Sequence, residues 1–203
     1  MNPKAEKLMR KSRLGYAYAH IEDARVREMI ADRLAELLAE TRVTDKMLLK
    51  HLKGAILPSV AMYAVLQDNG VPGEEAYRRI RVSAMKSCEG FTKTLNRAAK
   101  IPFFYPIFKA LLAMTTKKVF GPAGWDFRWK QNDRERVAWD CHRCFYLDQF
   151  TAYGMAELTP IFCEVDDACY GNIPGIGWGR TKTLAKGADV CDFCFINEKH
   201  LRK

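Results

Sequence analysis

The sequence predicts an α+β protein: a helical N-terminal half followed by a small antiparallel sheet with one or two packed helices. Three observations carry that expectation. Apolar residues recur at three- and four-residue steps through most of the first 120 positions. After Gly121-Pro122-Ala123-Gly124 the pattern changes to two-residue alternation. Six of the seven cysteines, at 141, 144, 163, 169, 191 and 194, follow residue 140. The expected organisation is a helical region over 1–120 and a thiol-rich α+β region over 121–203, joined as one compact unit.

Taken in order, Ile21, Met29, Ile30, Leu34, Leu37 and Leu38 form the stripe of an amphipathic helix from about Ala19 to Glu40. Thr44-Asp45 offers an N-cap to a helix over 46–67, with Leu48, Leu49, Leu52, Ile56, Val60, Tyr63 and Leu66 in period and a kink or break at Pro58. A third helix is expected from Gly73-Glu74-Glu75 to about Ala99, carrying Ala76, Ile80, Met85, Cys88 and Phe91 inward. The apolar segment 101–120 is interrupted by Pro102, Pro106 and Lys109, and falls short of the ~20 residues a membrane span needs. It reads as a buried or interfacial helix.

Trp125, Phe127 and Trp129 alternate with Asp126, Arg128 and Lys130, and Arg134 to Cys141 alternate likewise, so the two runs make a hairpin about Asn132-Asp133. Helical spacing is expected over 144–158, and a short element from Pro160 to about Gly171. A strand over 176–184, a turn over 185–189 and a last strand over 190–196 complete the fold.

The start of the chain is charged rather than apolar, so a cytoplasmic protein is expected, with its thiols reduced. The net charge of +9 is spread along helical faces without a recognisable nucleic-acid motif. The expected partner is a small anionic substrate, with neither nucleic acid nor a membrane; a homo-oligomer is compatible with the sequence.

The thiols admit three chemistries. Cys141-x-x-Cys144 and Cys191-x-x-Cys194 could hold zinc or another soft metal, but 46 residues separate the pairs and neither knuckle contains Gly. A dithiol redox couple would call for a βαβ context that is absent around both pairs. A catalytic thiol is supported by Cys163 and Asp166, three residues apart and so on one face of a helical turn. Asp192, beside Cys191 on a strand, points to the other side and suits capping or pairing with a basic residue.

Arg180-Thr181-Lys182-Thr183 through Gly187 to Cys191-Asp192-Phe193, with Cys144-Phe145-Tyr146, Gly154, Glu157-Leu158 and Cys163-Glu164-Val165-Asp166 upstream, resembles the L-2-amino-thiazoline-4-carboxylic acid hydrolase family over about residues 126–195. The resemblance implies hydrolytic opening of a cyclic, cysteine-derived thiazoline to a carbamoyl-cysteine, with no cofactor. It implies Cys163, Asp166 and Cys191 as catalytic residues, Cys163 or Cys191 being nucleophile or substrate-thiol partner and Asp166 handling protons. Arg180, Thr183, Cys144 and Asp192 are the implied substrate-binding residues, Arg180 for the carboxylate. Cys194 stands where the family commonly has Arg. The alternatives are a thiol protein that binds or cleaves a soft metal or organometal, with Cys141, Cys144, Cys191 and Cys194 as ligands, and a small-ligand binding module without catalysis.

Overall fold

Asp and Asn side chains set the helix starts at the beginning of this chain. The structure, a computed structural model, describes residues 2–201. It divides into two compact units, one made of residues up to 87 with 149–161, the other of 88–148 with 162 onward.

In the first unit Asn2 caps α1 (Pro3–Lys11) by accepting the Lys4 and Ala5 amides. A short α2 (Gly15–Ala19) follows. The expected helix over 19–40 starts later, as α3 (Ala24–Glu40), because the Asp23 carboxylate accepts the Arg25 amide and restarts the helix there. Met29, expected in the buried stripe, is 37% exposed at its edge. Asp45 caps α4 (Lys46–His51), accepting the Met47 and Leu48 amides. The break near Pro58 takes the form of a π turn over Leu52–Ile56, after which α5 (Leu57–Asp68) begins with Pro58 in its first turn. Proline cannot donate to the carbonyl four residues back. That carbonyl, on Gly54, accepts the Arg13 amide instead at 2.9 Å.

α6 (Gly73–Ala98) runs from the first unit into the second. Ala76, Ile80, Ala84 and Cys88 form its buried row. Phe91, expected inward, is one residue out of that four-residue step and is 52% exposed. α7 (Phe104–Val119) buries Phe104, Tyr105, Phe108, Leu112 and Thr116.

β1 (Trp125–Asn132) and β2 (Arg136–Cys144) form the expected hairpin. Arg134 and Glu135 lie in its turn rather than in the second strand, because the Asp133 carboxylate accepts the Glu135 and Arg136 amides. Those bonds, with one from Gln131 first among them, hold the Asp133 carboxyl down at about 2. α8 (Phe145–Ala152) is shorter than the helix expected to reach 158. Gly154, with φ of 69°, turns the chain before α9 (Thr159–Tyr170).

The strand expected over 176–184 is confined to β3 (Ile176–Trp178). Beyond Gly179 the amides of Thr181 and Lys182 donate to the Asp192 carboxylate, so they are withdrawn from any ladder. β4 (Cys191–Asn197) and α10 (Glu198–Leu201) end the chain. The sheet is antiparallel throughout, in the order β1-β2-β4-β3.

Register places Val137, Trp139 and Cys141 opposite Phe195, Phe193 and Cys191. Ala138 and Asp140 lie opposite Cys194 and Asp192 and, by strand alternation, on the other face. The first face forms the core of the second unit with α7, where Phe108 meets Phe195 at 5.1 Å and Trp139 stacks on Phe193 at 5.1 Å.

Candidate functional site

The thiol-rich site lies within the second unit. β2 brings Cys141 and Cys144, β4 brings Cys191, α9 brings Cys163, Asp166 and Asp167, and the loop after β3 brings Arg180 and Thr183. Helical spacing puts Cys163, Asp166 and Asp167 on one face of α9, and that face meets the loop through Arg180.

Arg180 is the centre of the arrangement. Its side chain is 3% exposed, and Nη2 donates to the Cys163 carbonyl and to Asp167 Oδ1, each at 2.6 Å. Nη1 reaches Asp166 Oδ2 at 3.4 Å. The guanidinium carbon stands 5.3 Å from the Trp178 ring centroid and 5.5 Å from that of Phe193. Trp178 Nε1 also donates to Asp167 Oδ1, at 2.8 Å. A planar fork with five donors can serve a carbonyl and two carboxylates at once; a lysine could not.

Cys141 and Cys191 are directly opposed on neighbouring strands. Cys191 Sγ accepts the Leu184 amide at 3.2 Å. The hydrogen bond from Cys141, with the Leu184 amide and the Arg180 charge, holds the Cys191 thiol below its ordinary range despite burial. The same bond and burial push Cys141 well up. Cys191 is therefore the more acidic thiol of the pair, while Cys141 Sγ also donates to the Arg143 carbonyl at 3.0 Å. A sulfur anion accepts more strongly than a neutral one, so the pair is self-consistent.

Burial raises two further thiols near Cys191, on β2 and α9. Burial pushes Cys163 up to about 12 against the pull of Arg180, and Cys144 up to about 11. Cys163, Cys144 and Cys191 lie within electrostatic reach of one another and of Asp166. Cys169 is apart from them, beside Cys88, and is pushed up to about 12 by burial. Cys194 points to the opposite face of the sheet from Cys191, so the second C-x-x-C pair is divided between two faces. Every cysteine is a free thiol. Among the described residues no three His, Cys, Asp or Glu side chains are placed to hold one metal ion.

Asp192 accepts from the Thr181 amide, the Thr181 hydroxyl and the Lys182 amide, at 2.9, 2.5 and 2.7 Å. Burial would raise its pKa, but these bonds together hold the carboxyl below its usual range. Asp192 thereby fixes the loop that carries Arg180 and Thr183. Thr183 is 5% exposed, and its hydroxyl has no hydrogen-bond partner among the described residues.

Four contributors are not given their roles by the sequence. Asp167 is four residues after Cys163, a spacing as favourable as that of Asp166, and so was available to the same helical argument. Trp178 and the Leu184 amide had no local signal, since Trp178 reaches back to Asp167 on α9 and the Leu184 amide reaches forward to Cys191 on β4. The C-x-x-C spacing offers Cys141 as a metal ligand or half of a dithiol couple; its place opposite Cys191 depends on the pairing of β2 with β4.

An α+β fold in which four thiols, two carboxylates and a buried guanidinium converge beside a sheet defines a thiol and carboxylate site protein. Residues 50–195 match the family model described as L-2-amino-thiazoline-4-carboxylic acid hydrolase, and the chain belongs to that family, whose name is that of a hydrolase. No curated protein matches the chain. No helix among the described residues is long and apolar enough to cross a membrane.

Proposed function

We propose that this protein is a hydrolase that opens a C–N/C–S ring, L-2-amino-thiazoline-4-carboxylate or a related small cyclic amidine, to a carbamoyl-cysteine. The observation that carries the reading is the geometry at Cys191, set opposite Cys141 on the neighbouring strand and accepting the Leu184 amide, both of which lower its thiol pKa, in a chain of this family.

Cys191 Sγ attacks the amidine carbon between N and S, and the ring C–S bond breaks as the Cys191 S–C bond forms. Water then attacks the same carbon, leaves its oxygen there as the carbonyl, and the Cys191 S–C bond breaks to return the thiolate. The two hydrogens of that water end on the ring nitrogen and on the freed sulfur. Asp166, 38% exposed at its side chain, carries protons between them. Cys163 and Cys144, both protonated, line the same pocket of charge as neutral donors.

Arg180 offers a substrate carboxylate its Nη1 side, where the existing contact to Asp166 is longest. Thr183 supplies the hydroxyl left without a partner. Asp192 keeps both in place.

The test is incubation of metal-stripped protein with L-2-amino-thiazoline-4-carboxylate, with product followed by mass spectrometry. Cys191→Ala and Cys163→Ala run alongside. Turnover abolished in Cys191→Ala supports the reading, and full activity in that variant refutes it. No turnover without metal, but turnover once zinc is added, would refute the metal-free thiol reading.

A further inference from the structure

From Gly90 to Trp125 the chain contains no Asp or Glu, but it has six cations: Lys93, Arg97, Lys100, Lys109, Lys117 and Lys118. α7 lies in the middle of this stretch and is apolar on two sides. One side, with Phe104, Tyr105, Phe108 and Leu112, is buried in the second unit's core. The other should be polar if water were its only neighbour. Instead Phe103 is 85% exposed, and Ile107, Leu111 and Met114 are 48%, 49% and 45% exposed. These four follow one another at steps of four, four and three, so they form a single outward stripe.

Phe103 adds an independent sign. It has φ of 58°, the one positive value among the described non-glycine residues. A bulky residue in that conformation is strained, and here the strain presents an aromatic ring to solvent. Lys100 precedes the stripe and Lys117 and Lys118 end it, all exposed. An open groove of about 650 Å³ runs alongside, walled by Phe103 and Pro106 with Lys109, Arg134 and Lys199 around it. Asp133 also borders it, one carboxylate among the three cations around the groove.

We infer that the outward face of α7 docks on an anionic lipid surface. An apolar stripe bounded by lysines, on a helix too short to cross, suits the boundary between headgroups and acyl chains. A second copy would bring the same lysine-bounded, net-positive face against itself, repelling where lipid phosphates attract. The expectation of no membrane partner rested on the length needed for a span, and surface docking makes no such demand. The inference is independent of the reaction proposed above.

The experiment is flotation of the full chain with vesicles of phosphatidylcholine alone and of phosphatidylcholine with one quarter phosphatidylglycerol, in low and physiological salt. Binding to the anionic vesicles, weakened by salt and absent from the neutral ones, is the expected result. Ile107→Asp with Leu111→Asp should weaken it more than about tenfold. Lys117→Ala with Lys118→Ala, which leaves the apolar stripe intact, should weaken it about 30-fold. Circular dichroism confirms that each variant folds. Three results would each overturn the inference: no binding by the wild type in low salt, undiminished binding by the Ile107/Leu111 variant, or a wild-type dimer that this variant dissolves without any vesicle binding.

Discussion

Replacing Arg180 with Met tests whether the guanidinium holds the site together. The wild-type group makes two 2.6 Å bonds, to the Cys163 carbonyl and to Asp167, and a looser one to Asp166. Removing one partner of a fully buried pair costs about 3–5 kcal/mol, because the other is left charged and dry. Here Asp166 and Asp167 are 38% and 49% exposed at their side chains, so both can turn to water once Arg180 is gone. That relief places the loss at the lower end, about 3 kcal/mol, part of it from the contact with Trp178 and Phe193. At 2–4 °C per kcal/mol for a chain of this length, the thermal midpoint should fall by about 6–12 °C. Arg180→Lys should recover part of this, since an ammonium keeps the charge without the fork. Differential scanning calorimetry reads the shift, with Lys182→Ala as an exposed control that should not move the midpoint. An Arg180→Met protein melting within about 2 °C of wild type would refute the assignment of Arg180 as the organising cation.

Cys141→Ala removes the strongest stabiliser of the Cys191 anion, so the Cys191 pKa should rise and the pH profile of its alkylation by iodoacetamide should move to higher pH. An unmoved profile, followed by peptide mass spectrometry, would show that the Leu184 amide and Arg180 suffice. Asp192→Asn should cost about 1–2 kcal/mol at neutral pH, through weaker bonds to Thr181 and Lys182. Because the folded carboxyl lies below its unfolded value, that stability is fully present above about pH 4 and is lost as pH falls through the folded value. The gap between wild type and variant in urea titrations should therefore close on acidification, and a gap independent of pH would contradict the linkage.

What could be read from the residues was local. Asp45 marks a helix start because a carboxylate accepts amides two and three positions on, a relation that needs no other part of the chain. The hairpin of β1 and β2 follows in the same way from alternation, as does the shared face of Cys163 and Asp166 from helical period. The ordered blocks around Cys144, Cys163 and Arg180 to Phe193 pointed to the family that residues 50–195 match.

Spacing did not reveal which thiol is the more acidic. Cys163 and Cys191 looked equivalent in sequence, and the difference comes from an amide seven residues before Cys191 and from Cys141, fifty residues before it, set opposite by strand pairing. The burial of Arg180 likewise required α9, β4 and the 179–183 loop to meet around one side chain. Periodicity gave α7 an apolar character but could not say that two of its sides would share it, one in a core and one in water. Sequence by itself determined most of the elements, the Asp45 cap and the family, because those depend on neighbours a few residues away. Only the tertiary structure decided protonation, burial and exposure, because a pKa and a surface are set by whichever groups the fold brings within a few ångströms.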